Sequence, residues 1–259
     1  MAQMAGLVAM PLIAQFAIEH DSWRSGWLAL GVVTLLVGFL PCWLFLVRRP
    51  EDIGLTPAKM PHTPAEPQFS REQALRVPAF WLLLAYTALV YPVQAGVSLH
   101  QAPHLVERGI DATTAALIVS SFSLMSGVGT FACGMLPRRL PVRLPLALVG
   151  ALLALSALLM TRIASAADGY LAAAVFGLGI GGILTLLPVA WADYFGRENY
   201  GAIRGLALSA QVLAQAIGPL LAGVLRDITG DYGLSLNCFA VLAGVSVMVA
   251  LAARPPRPT

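Results

Sequence analysis

Apolar runs of roughly 20 residues, separated by clusters of charge, divide this 259-residue chain. A helix rises about 1.5 Å per residue, so such a run crosses the ~30 Å hydrocarbon core of a bilayer. Eight runs of this kind cover about residues 2–18, 27–47, 79–99, 114–136, 144–161, 170–191, 206–225 and 234–253. Composition agrees: 58% of the residues are hydrophobic and 11% charged, against about 25% charged in an ordinary soluble domain. The expectation is an all-α integral membrane protein with eight transmembrane helices, whose partner is the lipid bilayer.

The connections between runs are short, with one exception. Residues 48–78 hold Lys59, five prolines before Pro78 and the charged run 70–76. That composition suits a linker between two helical bundles. It divides the chain into 1–47 with two helices, a linker at 48–78, and 79–259 with six helices and a short tail.

The net charge of +3 and the pI near 9.0 come from fifteen arginines and Lys59 against thirteen acidic residues. In a soluble protein this balance would suggest nucleic acid as a partner. Here the arginines flank apolar runs, so they read as orientation signals and nucleic acid is not expected. Alternate connections share Lys and Arg unevenly. Twelve fall on one side (Arg48, Arg49, Lys59, Arg71, Arg76, Arg138, Arg139, Arg143, Arg197, Arg204, Arg254, Arg257) and four on the other (Arg24, Arg108, Arg162, Arg226). The basic side faces the cytoplasm, which puts the linker and both termini there and the protein in the inner (plasma) membrane.

Cys42, Cys133 and Cys238 each sit inside an apolar run without metal-ligand spacing, so they read as packing residues. The chain holds no HExxH, P-loop or nucleophile elbow. A membrane-embedded enzyme would need His, Asp or Glu clustered at one depth, and none is clustered so. No enzyme activity, cofactor or metal is expected. Gly177-Leu178-Gly179-Ile180-Gly181-Gly182 superficially resembles a dinucleotide fingerprint. That motif needs a preceding strand; glycines four apart inside an apolar run instead let helices approach closely.

A faint internal repeat sets Pro11-Leu12-Ile13-Ala14 beside Pro219-Leu220-Leu221-Ala222, each followed by acidic residues, an aromatic residue and another apolar run. If the first two runs match the last two, a complete first half would hold six. Four further spans would then be expected before Met1, and the chain read alone would be a truncated, transport-inactive fragment.

Trp23-Arg24 with Trp27 and the segments 48–55, 193–203 and 218–223 together resemble the major facilitator superfamily, in particular bacterial relatives of monocarboxylate and oxalate/formate carriers. Trp23-Arg24 with Trp27 is similar to that family's segment after the fifth helix. Arg48-Arg49-Pro50-Glu51-Asp52-Ile53-Gly54-Leu55 resembles the segment after the sixth. Asp193-Tyr194-Phe195-Gly196-Arg197 through Tyr200-Gly201-Ala202-Ile203 resembles the connection between helices ten and eleven, and Gly218-Pro219-Leu220-Leu221-Ala222-Gly223 the eleventh helix. On this alignment the eight spans are helices five to twelve. The resemblance implies secondary transport of a small organic solute, in first place a carboxylate, by alternating access, and it implies proton coupling. Two positions depart from the pattern: Arg138 and Pro141 stand where the family has Asp and Gly, and Thr130 stands where many relatives carry a substrate-pairing arginine.

Polar side chains inside a membrane are costly and tend to face a cavity or another helix. The runs 144–161 and 234–253 are almost featureless and should face lipid, with 144–161 touching few other spans. The remaining runs supply the substrate-cavity candidates Tyr86, Tyr91, Gln94, Ser123, Ser126, Thr130, Thr185, Gln211 and Gln215. The bland alternatives are an i−4 back-bond for each serine and threonine and interhelix bonding for the glutamines and tyrosines. His100 and His104 fall at the end of a run, where interfacial placement is the ordinary reading and a proton relay the alternative. Arg138, Arg139, Asp193 and Arg197 flank the cytoplasmic helix ends and are the gate candidates; the bland reading of such arginines is topology alone.

Overall fold

The computed structural model describes Gly6, Ala9, Met10, Ile13, Ala14 and residues 16–18, 20–47, 54, 68–136 and 140–256. No strand occurs among them, and seven of their helices are long and apolar enough to cross a membrane. The expected span at 2–18 lies largely outside the described residues, so seven spans stand where eight were expected. Gln15, Lys59, Arg138 and Arg139 also lie outside them. The chain forms two compact units, Ala2–Ala65 and, apart from Met1, Glu66–Thr259.

In the first unit, helix α1 (Trp23–Phe45) begins after the Ser22 cap and carries a π-helical turn at Thr34–Phe39. Pro41 follows that turn; it has no N–H, and its ring crowds the carbonyl four residues back, so a wider turn relieves the ladder. Trp27, Leu28, Val37 and Trp43 are each exposed. A helix this apolar all round belongs in lipid.

The second unit starts on a short helix, α2 (Arg71–Arg76), held by the reciprocal Ser70–Gln73 box. Val77 is extended because a proline follows, and Pro78 then opens α3 (Pro78–Glu107) at the first helical position. Four more spans follow with α4 (Ala112–Gly134), α5 (Arg143–Thr161), α6 (Ala166–Phe195) and α7 (Tyr200–Thr229), and α8 (Gly233–Ala252) closes the bundle. Asp111 caps α4, a Ser165–Asp168 box caps α6, and left-handed Gly230 ends α7.

α6 is the most buried helix and packs against α4 and α5, while α3 packs against α7 and α8. Glycine makes the first of these contacts close. A Cβ on Gly177 or Gly181 would run into the Phe122 or Ser126 carbonyl oxygen of α4. The fingerprint-like run is thus a helix seam.

α5 departs from expectation. It packs along its length against α6 and α8 rather than touching few spans. Its exposed residues Leu144, Leu148, Leu155 and Leu158 recur at helical spacing as a single apolar stripe, and Leu146, Leu153, Ser156 and Met160 are buried opposite. A featureless sequence therefore marks a helix with one lipid stripe, not a helix without neighbours. Within this second unit, α4 and α7 have the smallest buried share.

Candidate functional site

Polar side chains meet along the seam of α3 and α7. Gln215 donates through Nε2 to Gln94 Oε1 at 3.1 Å. The Arg204 guanidinium donates through Nη2 to Oε1 of Gln211, seven residues on in the same helix, also at 3.1 Å. The same guanidinium interacts with the Tyr91 hydroxyl and stands 6.0 Å from the centre of the Trp191 ring, within reach of a cation–π contact. Arg204 is 7% exposed, and its Nη1 has no hydrogen-bond partner among the described residues. Trp191 Nε1 is likewise buried and unpartnered.

The direction of Arg204 is the informative feature. Helical side chains lean toward the N-terminus, and an arginine near a helix end extends outward to water. α7 has 30 residues and is therefore ~45 Å long, so its first turns stand near the headgroups. From the second turn Arg204 could reach water. It runs the other way, toward Gln211, deeper along α7. A cation placed there with a free N–H suits an anionic group that approaches along the seam.

All of the sequence-derived cavity candidates except Tyr86 divide between two seams. Tyr91, Gln94, Gln211 and Gln215 join the Arg204 cluster. Ser123, Ser126, Thr130 and Thr185 lie instead along the contact of α4 with α6. Thr130 Oγ1 and Thr185 Oγ1 both donate to Gly181 O, at 3.4 and 2.9 Å. Ser123 and Ser126 are buried there, and the glycine contact leaves no room for a solute between the backbones. Tyr86 is fully buried, and its hydroxyl donates to Leu146 O of α5 at 2.9 Å. Its one donor is committed to holding two helices together.

By sequence Arg204 reads as a topology arginine, because the apolar run starts at Leu206. The helix starts at Tyr200, which places Arg204 inside the span. Removing it from the orientation count leaves eleven against four. Of the gate candidates, Asp193 lies in the last turn of α6 and Arg197 in the turn before α7; both are exposed and neither is free. Arg138 and Arg139 fall outside the described residues.

An aromatic group covers the same end of the bundle. Phe80, Trp191 and Phe195 stack edge to face or tilted at 5.4–6.1 Å. Phe69 joins them, its N–H donating to Phe195 O at 3.2 Å and its carbonyl accepting from Asn199 Nδ2 at 3.1 Å. The segment leading into α2 is thereby pinned beside the turn between α6 and α7.

Comparison with known proteins gives a consistent picture. The sequence profile of the Major Facilitator Superfamily matches residues 1–219 and again 101–259. Monocarboxylate transporter 11 of Homo sapiens is 30% identical over 253 residues, 92% of this chain and 51% of that protein. The Mus musculus protein of the same name is 29% identical, covering 92% of this chain and 54% of its own length. The membrane sensor protein UhpC of Salmonella typhimurium is 30% identical over 284 residues, 100% of this chain and 63% of its own length. The chain thus spans about half to two-thirds of the length of these relatives. With profile matches that together run from end to end and a bundle of apolar helices to accommodate them, this chain belongs to the major facilitator superfamily.

Proposed function

We propose that this chain supplies the solute-binding bundle of a secondary carrier that moves a small organic anion, in first place a carboxylate, by alternating access. The observation that carries the reading is Arg204, a buried guanidinium that runs inward along α7 and whose Nη1 is unpaired among the described residues. A bare buried charge is costly; a carboxylate would neutralise it and accept the free N–H. Tyr91, Gln94, Gln211 and Gln215 then form the polar wall that receives the rest of the solute, and the α3–α7 seam is the surface that opens and closes. Gating at the other elements falls to Asp193, Arg197, Arg138 and Arg139, which latch the cytoplasmic side. The charge asymmetry supports an inner-membrane protein with cytoplasmic termini.

Two relatives bear the name of a monocarboxylate transporter, which supports a carboxylate; another bears the name of a sensor. Binding and uptake are therefore measured side by side. Purified protein is titrated with lactate, pyruvate and lactamide, with Trp191 fluorescence as the readout, and the same panel is tested for uptake into proteoliposomes. The reading expects saturable binding of the carboxylates and none of the neutral amide. Binding without uptake would assign the site a sensor-like role. Equal response to lactate and lactamide would refute an anion site.

A further inference from the structure

Away from the Arg204 seam, toward the far ends of α3 and α7, lies a second polar cluster. Gln101 is 2% exposed, yet neither its Oε1 nor its Nε2 has a partner among the described residues. An amide has two donors and two acceptor sites, and buried amides are nearly always satisfied. Gln101 lines a cavity of ≈ 10 Å³ together with His100, His104, Met160 and Tyr232, about the volume one water fills.

Both imidazoles have one nitrogen committed. His100 Nδ1 lies 3.0 Å from Gly96 O, and His104 Nε2 lies 2.8 Å from Met160 O. A carbonyl only accepts, so these nitrogens carry the hydrogens. His100 Nε2 and His104 Nδ1 are then the basic positions. The Tyr232 ring lies against both, with centroids 5.3 and 5.8 Å away.

We propose that His100, Gln101 and His104 form a proton-binding site built around one water held by the Gln101 amide, and that this site couples solute movement to a proton gradient. The coupling rests on the carrier reading above; the proton site itself does not. The proton comes from a hydronium ion: its O–H bond breaks, an N–H bond forms on the free imidazole nitrogen, and water and an imidazolium result. Release on the other side is the reverse.

The surroundings allow this. α3 ends on Glu107 with Arg108 just past it, and α7 contributes Arg226 and Asp227. The turn before α8 holds Asp231 and Tyr232, Arg162 follows the end of α5, and α8 brings Ser235 and the thiol of Cys238. Burial is the largest influence on His104 and opposes an imidazolium there, as does Arg108, while the bond to Met160 O, Glu107 and Asp231 favour it. Burial pushes the Tyr232 phenol up, so it stays protonated and neutral. Glu107 also holds Arg226 at 2.8 Å, which ties α3 to α7 at this end. A charged His104 competes with Arg226 for that carboxylate, so taking up a proton loosens the tie. Gln94, which meets Gln215 in the solute seam, lies two turns back on the same helix, so one helix senses both events.

The test reads protonation first. The chain is labelled with 15N-histidine in lipid nanodiscs and titrated between about pH 8 and about pH 5, around the ordinary histidine value near 6.5; His100→Gln and His104→Gln assign the signals. At the alkaline end His100 should carry its hydrogen on Nδ1 and His104 on Nε2. On acidification the two should titrate interdependently, and Gln101→Leu should break that dependence. Opposite tautomers, or independent titrations that Gln101→Leu leaves unmoved, would overturn the site. Coupling is read in proteoliposomes loaded with lactate, as the ratio of proton-gradient-driven uptake to lactate counterflow, which needs no net proton. That ratio should collapse in His104→Gln. Parent uptake indifferent to the gradient would overturn the coupling. Absence of counterflow in the parent would strike at the carrier reading while the titration result still stood.

Discussion

Replacing Arg204 by leucine separates a binding role from a structural one, because the two make opposite demands. In the resting protein the guanidinium contributes one charge-assisted hydrogen bond to Gln211, worth about 1.5–3 kcal/mol. Against this stands burial of a cation with one N–H bare, a penalty of several kcal/mol before compensation. Leucine removes both and leaves Gln211 Oε1 without its donor, at about 1–3 kcal/mol. These terms nearly cancel. Stability should move by no more than about 1 kcal/mol either way, or about 2–4 °C in Tm for a bundle of this size. Anion binding has no such cancellation. Losing this buried cation of the seam should cost about 2–5 kcal/mol, which is about 30-fold to about 4,000-fold in Kd. Arg204→Lys should recover part of the affinity by keeping the charge without the planar fork. The assay is carboxylate titration by Trp191 fluorescence beside thermal unfolding of the same samples. A leucine variant that loses several degrees of Tm while binding lactate as the parent does would show that Arg204 only braces the seam.

Three further outcomes follow from the packing and the caps. Gly181→Ala places a methyl group against the Ser126 carbonyl and Thr130 nitrogen, backbone atoms that cannot step aside. It should destabilise by about 1–3 kcal/mol, whereas Gly244→Ala, which meets nothing within 4 Å, should stabilise slightly; thermal unfolding of the pair decides. Phe69→Ala removes a ring that is 6% exposed and should cost about 3 kcal/mol, with faster tryptic cleavage at Arg71 and Arg76; an unchanged cleavage rate would mean that Phe69 does not hold the segment down. The Thr114 hydroxyl and backbone N–H hold the Asp111 carboxylate below the usual range. Its contribution is therefore present above the ordinary Asp value near 3.9 and is lost as pH falls through the lower folded value. Asp111→Asn should leave neutral stability nearly unchanged and flatten that acid limb, as followed by helical signal against pH.

The spans were legible because length and apolarity alone decide whether a helix can cross a bilayer. Their ends were not. The run at 79–99 stops where His100, Gln101 and Pro103 interrupt the apolar count, yet α3 continues to Glu107. Its polar residues are accommodated by neighbouring helices: His104 Nε2 reaches Met160 O, and Arg108, just past the helix, reaches Thr161 O at 2.8 Å. Hydropathy counts side chains against lipid and has no term for a side chain that finds a carbonyl on the next helix. The same blindness affected α5, whose sequence carries no polar marker for the face it presents to α6 and α8.

The candidate site shows a sharper limit. Gln94, Gln211, Gln215 and Tyr91 were readable because an uncharged polar group in the middle of an apolar run has no other obvious use. Arg204 was not, since arginine two residues before an apolar run is also what orients a helix in the membrane. The two roles differ in which way the side chain runs. An orienting arginine reaches back to water, and its loss changes insertion. A binding arginine reaches forward along the seam, and its loss changes affinity. The sequence pattern Ile203-Arg204-Gly205-Leu206 is compatible with both. Gln211 breaks the tie: seven residues on, it lies two turns deeper on the same face, with a carbonyl oxygen that needs a donor in a place where water is scarce. An arginine followed at that spacing by a glutamine is thus the feature by which a buried cation could have been told from an orienting one, because the glutamine supplies the only local reason for the guanidinium to turn inward.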